Sequence, residues 1–104
     1  MINPALDLPV AAICRVCQQH RIKTLALFGS ALREDFRAES DVDFLVEFTP
    51  DAAPNLTQIV AIQHELERLV GRPVDLVERN AVEHSRNYIR RRQILSQLEP
   101  IYVA

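Results

Sequence analysis

The sequence predicts one α/β domain whose elements run in the order αβαβαβα, with a mixed sheet of three strands or slightly more covered by helices. Two observations carry this. Apolar residues recur at helical spacing in some stretches and at strand spacing in others, and the two kinds of stretch alternate along the chain. The length, 104 residues, suits one small domain with a single main core. Composition agrees: 48% hydrophobic and 25% charged residues are ordinary for a globular protein, which sets aside disorder, collagen-like repeats and coiled coil.

The first helix is expected over Val10 to Arg21, with Ile13, Val16, Cys17 and His20 along one face. A buried strand follows at Thr24 to Phe28, closed by Gly29-Ser30. Ala31 to Arg37 reads as a short helix with Ser30 at its N-cap. From Ser40 to Phe48 the alternation is the cleanest in the chain. Val42, Phe44, Val46 and Phe48 point one way, and Asp41, Asp43, Leu45 and Glu47 the other.

Asn55 and Gln58 form a capping box for the next helix, which Gly71 ends; its core face is Leu56, Ile59, Ile62, Leu66, Leu69 and Val70. Val74 to Glu78 is a third strand. A last helix spans Val82 to Leu98, and the tail Ile101-Tyr102-Val103 packs on the sheet.

Several functions are disfavoured at once. No apolar run approaches the roughly 20 residues of a membrane span, and Met1 to Cys14 lacks the basic start of a signal peptide, so a cytoplasmic protein is expected. Twelve Lys plus Arg against fourteen Asp plus Glu give a net charge of −2, which argues against direct nucleic-acid binding. The CxxC pair Cys14 and Cys17 has redox and zinc readings. It lies within a helix, however, with no strand before it and no second cysteine pair, so two small packed residues are the better account.

Three carboxylates sit where strand physics would not put them. Asp41 and Asp43 are two residues apart on one strand face, with Cα atoms roughly 6–7 Å apart. Their mutual repulsion is on the order of 2–3 kcal/mol at an effective dielectric near 20. A divalent cation turns that repulsion into coordination, and hard oxygen ligands suit Mg²⁺, which also accepts substrate phosphates. Asp75 is an acid inside the apolar run Val74 to Val77, costly unless a metal or partner neutralises it. Upstream, Gly29 lets the backbone approach a ligand closely, and Ser30 opens a helix whose first N–H groups suit a phosphate. Each feature alone is bland; phosphate cradle and acid pair together are what phosphoryl or nucleotidyl transfer requires.

Gly29-Ser30, ten residues, then Asp41-Val42-Asp43 resembles the GS-x10-DxD signature of the polymerase-β-like nucleotidyltransferase superfamily. Leu27 to Ser30 with Arg33, then Ser40 to Val46, is similar more closely to the minimal nucleotidyltransferases of bacteria and archaea. The resemblance implies a reaction with two Mg²⁺ ions held by Asp41, Asp43 and Asp75, the last also serving to activate the attacking hydroxyl. It implies that Gly29 and Ser30 hold the phosphates of ATP; for Arg33, triphosphate contact and a helix-surface place are both open.

Relatives of this size are often antitoxins that transfer AMP from ATP onto a tyrosine of a helical HEPN ribonuclease toxin. The resemblance therefore implies a HEPN partner, with homo- or hetero-oligomers both open. The alternative is a binding protein that neutralises its partner by contact alone. A nucleic-acid-extending enzyme fits less well, because the chain has no room for domains that grip a primer. One departure stands out: Glu34 follows Arg33 where the family often has glycine.

Other charges read as structural first. Glu47 shares the acid face and is expected to pair with an Arg. Arg86 and Arg90-Arg91-Arg92 form a basic cluster, either a solvated helix face or a docking surface for an acidic partner or RNA. His20, His64 and His84 have no partner at ligand spacing.

Overall fold

Strand and helix periods divide this chain between two faces of one sheet. The computed structural model describes residues 6–33, 36–37 and 40–104. Its elements are helix α1 (Val10–Gln19), strand β1 (Ile22–Phe28), a single 3-10 turn (Gly29–Leu32), β2 (Val42–Phe48), α2 (Leu56–Val70), β3 (Val74–Glu78), α3 (Arg79–Glu83), α4 (Tyr88–Ser96) and β4 (Glu99–Val103). The sheet has four strands in the order β3-β2-β1-β4. β1 pairs antiparallel with β2 and β4, whereas β2 and β3 run parallel, so the sheet is mixed as expected.

The alternation in β2 is realised. Val42, Phe44 and Val46 enter the main core with Ile13, Val16 and Cys17 of α1 and Ile62 and Leu66 of α2. Leu45 points to the other face, into a smaller cluster with Phe28, Val82 of α3 and Ile94 of α4. Two layers of helix thus sandwich the sheet, and the expected acid face lies under the thinner layer. Burying the main-core side chains contributes about 1.5–3 kcal/mol each before entropy is counted.

The capping expectations for α2 hold. Asn55 Oδ1 accepts from the Gln58 N–H at 2.8 Å, Gln58 Oε1 accepts from the Asn55 N–H at 2.9 Å, and Gly71 ends the helix in the left-handed region at φ 76°. Leu56 departs from the predicted core face: it is 76% exposed, because the first turn of α2 extends beyond the sheet.

Three other expectations are corrected. Gly29–Leu32 is a single 3-10 turn, with Arg33 back in extended conformation at φ −109° and ψ 158° rather than inside a helix; residues 34 and 35 of the expected helix lie outside the described residues. Ser30 does not cap it, since its Oγ donates instead to the Asp41 carbonyl at 3.1 Å. The predicted last helix is two, α3 and α4. The Asn87 N–H donates to Ser85 Oγ at 3.1 Å, and Asn87 Oδ1 accepts from the Arg90 N–H at 3.1 Å. These short polar side chains outcompete helical continuation and start a new helix. The apolar tail joins the sheet itself rather than lying on it: it extends the sheet as β4, bonded along β1, with Ile101 and Tyr102 packed against the main core.

Among the described residues, no helix is long and apolar enough to cross a membrane. Both cysteines are free on α1. The Cys17 thiol is pushed up to about 12 by desolvation, with the Cys14 beside it adding to the shift, which keeps Cys17 protonated and unreactive.

Candidate nucleotide and metal site

The site sits at one end of the sheet, where β1 finishes and the parallel strands β2 and β3 begin. Pairing places Phe28 opposite Asp43 and Asp43 opposite Asp75. Directly paired residues share a sheet face, so Asp43 and Asp75 stand side by side on the face lined by Leu45 and Val77. Asp41 lies one residue before β2 and is exposed.

Gly29 follows Phe28 at φ +73°, a conformation that favours glycine. A Cβ there would collide with Oδ2 of Asp43, so the turn is pressed against the carboxylate as no side-chain-bearing residue could be. The Ser30 backbone N–H and the positive charge of Arg33 both favour the ionised form of Asp43. Even so, the Asp43 carboxyl is raised above its usual range. Desolvation is the largest cause, followed by the negative charges of Asp75 and Asp41; the Ser30 N–H and Arg33 oppose the shift only in part.

Asp75 is exposed, contrary to the cost anticipated for an acid in an apolar run. β3 is an edge strand, so the carboxylate reaches water while its neighbours face inward. Glu47 is also corrected. It accepts a hydrogen bond from Thr24 Oγ1 at 3.2 Å across the β1–β2 pair, not one from an arginine. Of the histidines, His20 contacts Glu65 through Nε2 at 3.1 Å, tying α1 to α2. Glu34 lies outside the described residues, and so does its effect on the loop.

A strained acid pair on one face has the donor chemistry of a hard divalent cation. Among the described residues, no three His, Cys, Asp and Glu side chains come together as a complete metal cage. Mg²⁺ does not require one, because it is held by one or two carboxylates with water and substrate phosphates completing its shell. The residues therefore fit that ion in an open form. A single 3-10 turn of four residues is a poorer anion cradle than the helix N-terminus expected here.

Beside the turn lies a cleft of about 690 Å³. Phe28, Gly29 and Arg33 line one part of it, and Arg90, Gln93, Ile94 and Gln97 from α4 and its end line another. Sequence reasoning kept Arg90 in an undivided basic cluster and gave the two glutamines no role. The spacing 90, 93, 97 on a helix capped by Asn87 is the signal that would have placed them on one face. None of the three acids lines this cleft, nor a larger groove of about 830 Å³ past His64, Arg68 and Pro73; the cleft meets the site through Phe28, Gly29 and Arg33.

Comparisons with known proteins bear on the family and the fold. Residues 12–96 match the family model described as nucleotidyltransferase domain. The protein adenylyltransferase MntA of Thermococcus cleftensis is 34% identical over 62 residues, 60% of this chain and 61% of that protein. The chain spans about two thirds of the length of the curated relatives it matches. A solved structure described as a candidate minimal nucleotidyltransferase is 28% identical with a TM-score of 0.68, over 88% of this chain and 87% of that one. A chain from the complex of tri-AMPylated Shewanella oneidensis HEPN toxin with MNT antitoxin shares the fold. Its TM-score is 0.61 at 16% identity, covering 91% of this chain and 70% of that one.

Proposed function

This chain belongs to the nucleotidyltransferase domain family, and from that membership we propose that it is a protein adenylyltransferase acting as the antitoxin of a HEPN-type toxin. It transfers AMP from ATP to a hydroxyl of the toxin, a tyrosine in the first instance. The observation that carries this is the register of β2 and β3: it sets Asp43 beside Asp75, with the Gly29 turn closed against Asp43.

In this reading Asp41, Asp43 and Asp75 hold Mg²⁺, which supplies charge neutralisation at the triphosphate and at the leaving pyrophosphate. Gly29 lets the phosphates approach the backbone, and Ser30 fixes the turn to the strand through the Asp41 carbonyl. Arg33 faces the triphosphate. Asp75, exposed on the edge strand, receives the proton of the attacking hydroxyl as its oxygen bonds to the α-phosphorus and the bond to the β-phosphate oxygen breaks. The relative from Thermococcus cleftensis is named for protein adenylylation, and the Shewanella oneidensis complex holds an AMPylated toxin with its antitoxin. Both support the same donor and the same class of acceptor.

The test incubates the protein with ATP labelled at the α-phosphate, Mg²⁺ and the HEPN protein encoded beside it. Wild type labels the toxin, and Asp43→Asn lowers the rate roughly 10²-fold or more, as expected for removal of transition-state charge stabilisation. A toxin that stays unlabelled yet is inhibited equally by both forms establishes neutralisation by contact and overturns the transfer reading.

A further inference from the structure

Arg90, Arg91 and Arg92 are consecutive, and the structure gives each different surroundings. Arg91 turns back to the α3–α4 connection, where it donates to the carbonyls of Ser85 at 3.4 Å and Glu83 at 3.5 Å. Arg92 donates to the Tyr88 hydroxyl at 3.4 Å on the outside of α4. Arg90 lines the cleft beside Gly29 and Arg33, and among the described residues its guanidinium has no hydrogen-bond or ion-pair partner. Gln93, one turn further along α4, lines the same cleft.

The Gly29–Leu32 turn is a single four-residue 3-10 turn, too short to neutralise a triphosphate. Three carboxylates stand at one side of it, so a polyanionic ligand needs compensating cations on the other. A guanidinium fork matches phosphate oxygens and stays charged at every working pH. We propose that Arg90 is a phosphate-binding residue of the nucleoside-triphosphate site, contributed by α4 from across the cleft. The proposal rests on the nucleotidyl-transfer reading and extends it to an element outside the signature motif.

The test is displacement of a fluorescent ATP analogue from the full chain, with Mg²⁺, by ATP and by inorganic tripolyphosphate. Arg90→Gln is expected to weaken both competitors roughly ten- to hundred-fold, the size of a lost charge-assisted hydrogen bond. Arg92→Gln should leave both within about two-fold of wild type on the same scale. Thermal melts establish that each variant folds; neither guanidinium is buried.

Weakening of ATP but not of tripolyphosphate would put Arg90 against base or ribose and overturn the proposal. Wild-type affinity in Arg90→Gln, with Mg²⁺-dependent binding lost in Asp43→Asn, would overturn it while leaving the transfer reading intact. If wild type binds neither ATP nor tripolyphosphate, the transfer reading falls and Arg90 falls with it.

Discussion

At the scale of single residues, the molecule concentrates unfavourable electrostatics on Asp43. The folded protein raises this carboxyl above its unfolded value of 3.8 through desolvation and two neighbouring acids. The folded state therefore holds its proton more tightly, so folding stability falls as pH rises through the raised value. In metal-free protein, Asp43→Asn removes that penalty. We expect a higher melting temperature than wild type at pH 7 and no difference near pH 3, where both states are protonated in wild type. A scan of melting temperature against pH checks it; equal curves at pH 7 would mean that the Ser30 N–H and Arg33 fully offset desolvation and repulsion. Gly29 is the companion case. Gly29→Ala forces a left-handed residue against Asp43 and is expected to cost about 1–3 kcal/mol in urea unfolding. It should also abolish Mg²⁺-dependent ATP binding.

At the scale of elements, local signals and tertiary demands agree in some places and not in others. The α2 capping box and its Gly71 end were readable because both act within one turn of the chain, and Asn55→Ala should cost about 1 kcal/mol in the same unfolding measurement. The helix predicted from Ala31 does not run on through Arg33, because Ser30 has two possible partners. Propensity counts the local one, but β2 lies close enough for its hydroxyl to bond the Asp41 carbonyl. The split of the last helix was locally encoded by Ser85 and Asn87, whose side chains bond the backbone at the break. β4 was legible as an apolar tail and illegible as a strand, because only the free edge of β1 decides that such a tail pairs.

At the scale of the whole molecule, two cores of unequal size account for where the site is. The larger, between α1, α2 and the sheet, supplies most of the burial. The smaller, beneath α3 and α4, covers the acid face incompletely and leaves a cleft from Gly29 to Gln97. The proposed nucleotide site, open to water at its mouth with strands beneath it, falls at that end. Phe36 is buried under the guanidinium of Arg72, 4.5 Å from its ring centroid, and Arg72 also donates to the Arg37 carbonyl at 2.6 Å. Phe36 and Arg37 are thereby fastened to the loop before β3, which carries Asp75.

The sequence by itself determined the class of fold, the alternating strand with its acids on one face, the α2 caps and the pairing of a glycine turn with two carboxylates at fixed spacing. All of these depend on neighbours along the chain, within a turn or a strand. Only the tertiary structure decided that Asp75 stands directly opposite Asp43, that it is exposed at a sheet edge, that Glu47 bonds to Thr24, and that Arg90 alone of its cluster lines the cleft. Each of these depends on residues distant in sequence, and the strand pairing and helix packing that bring them together leave no periodic trace in the chain.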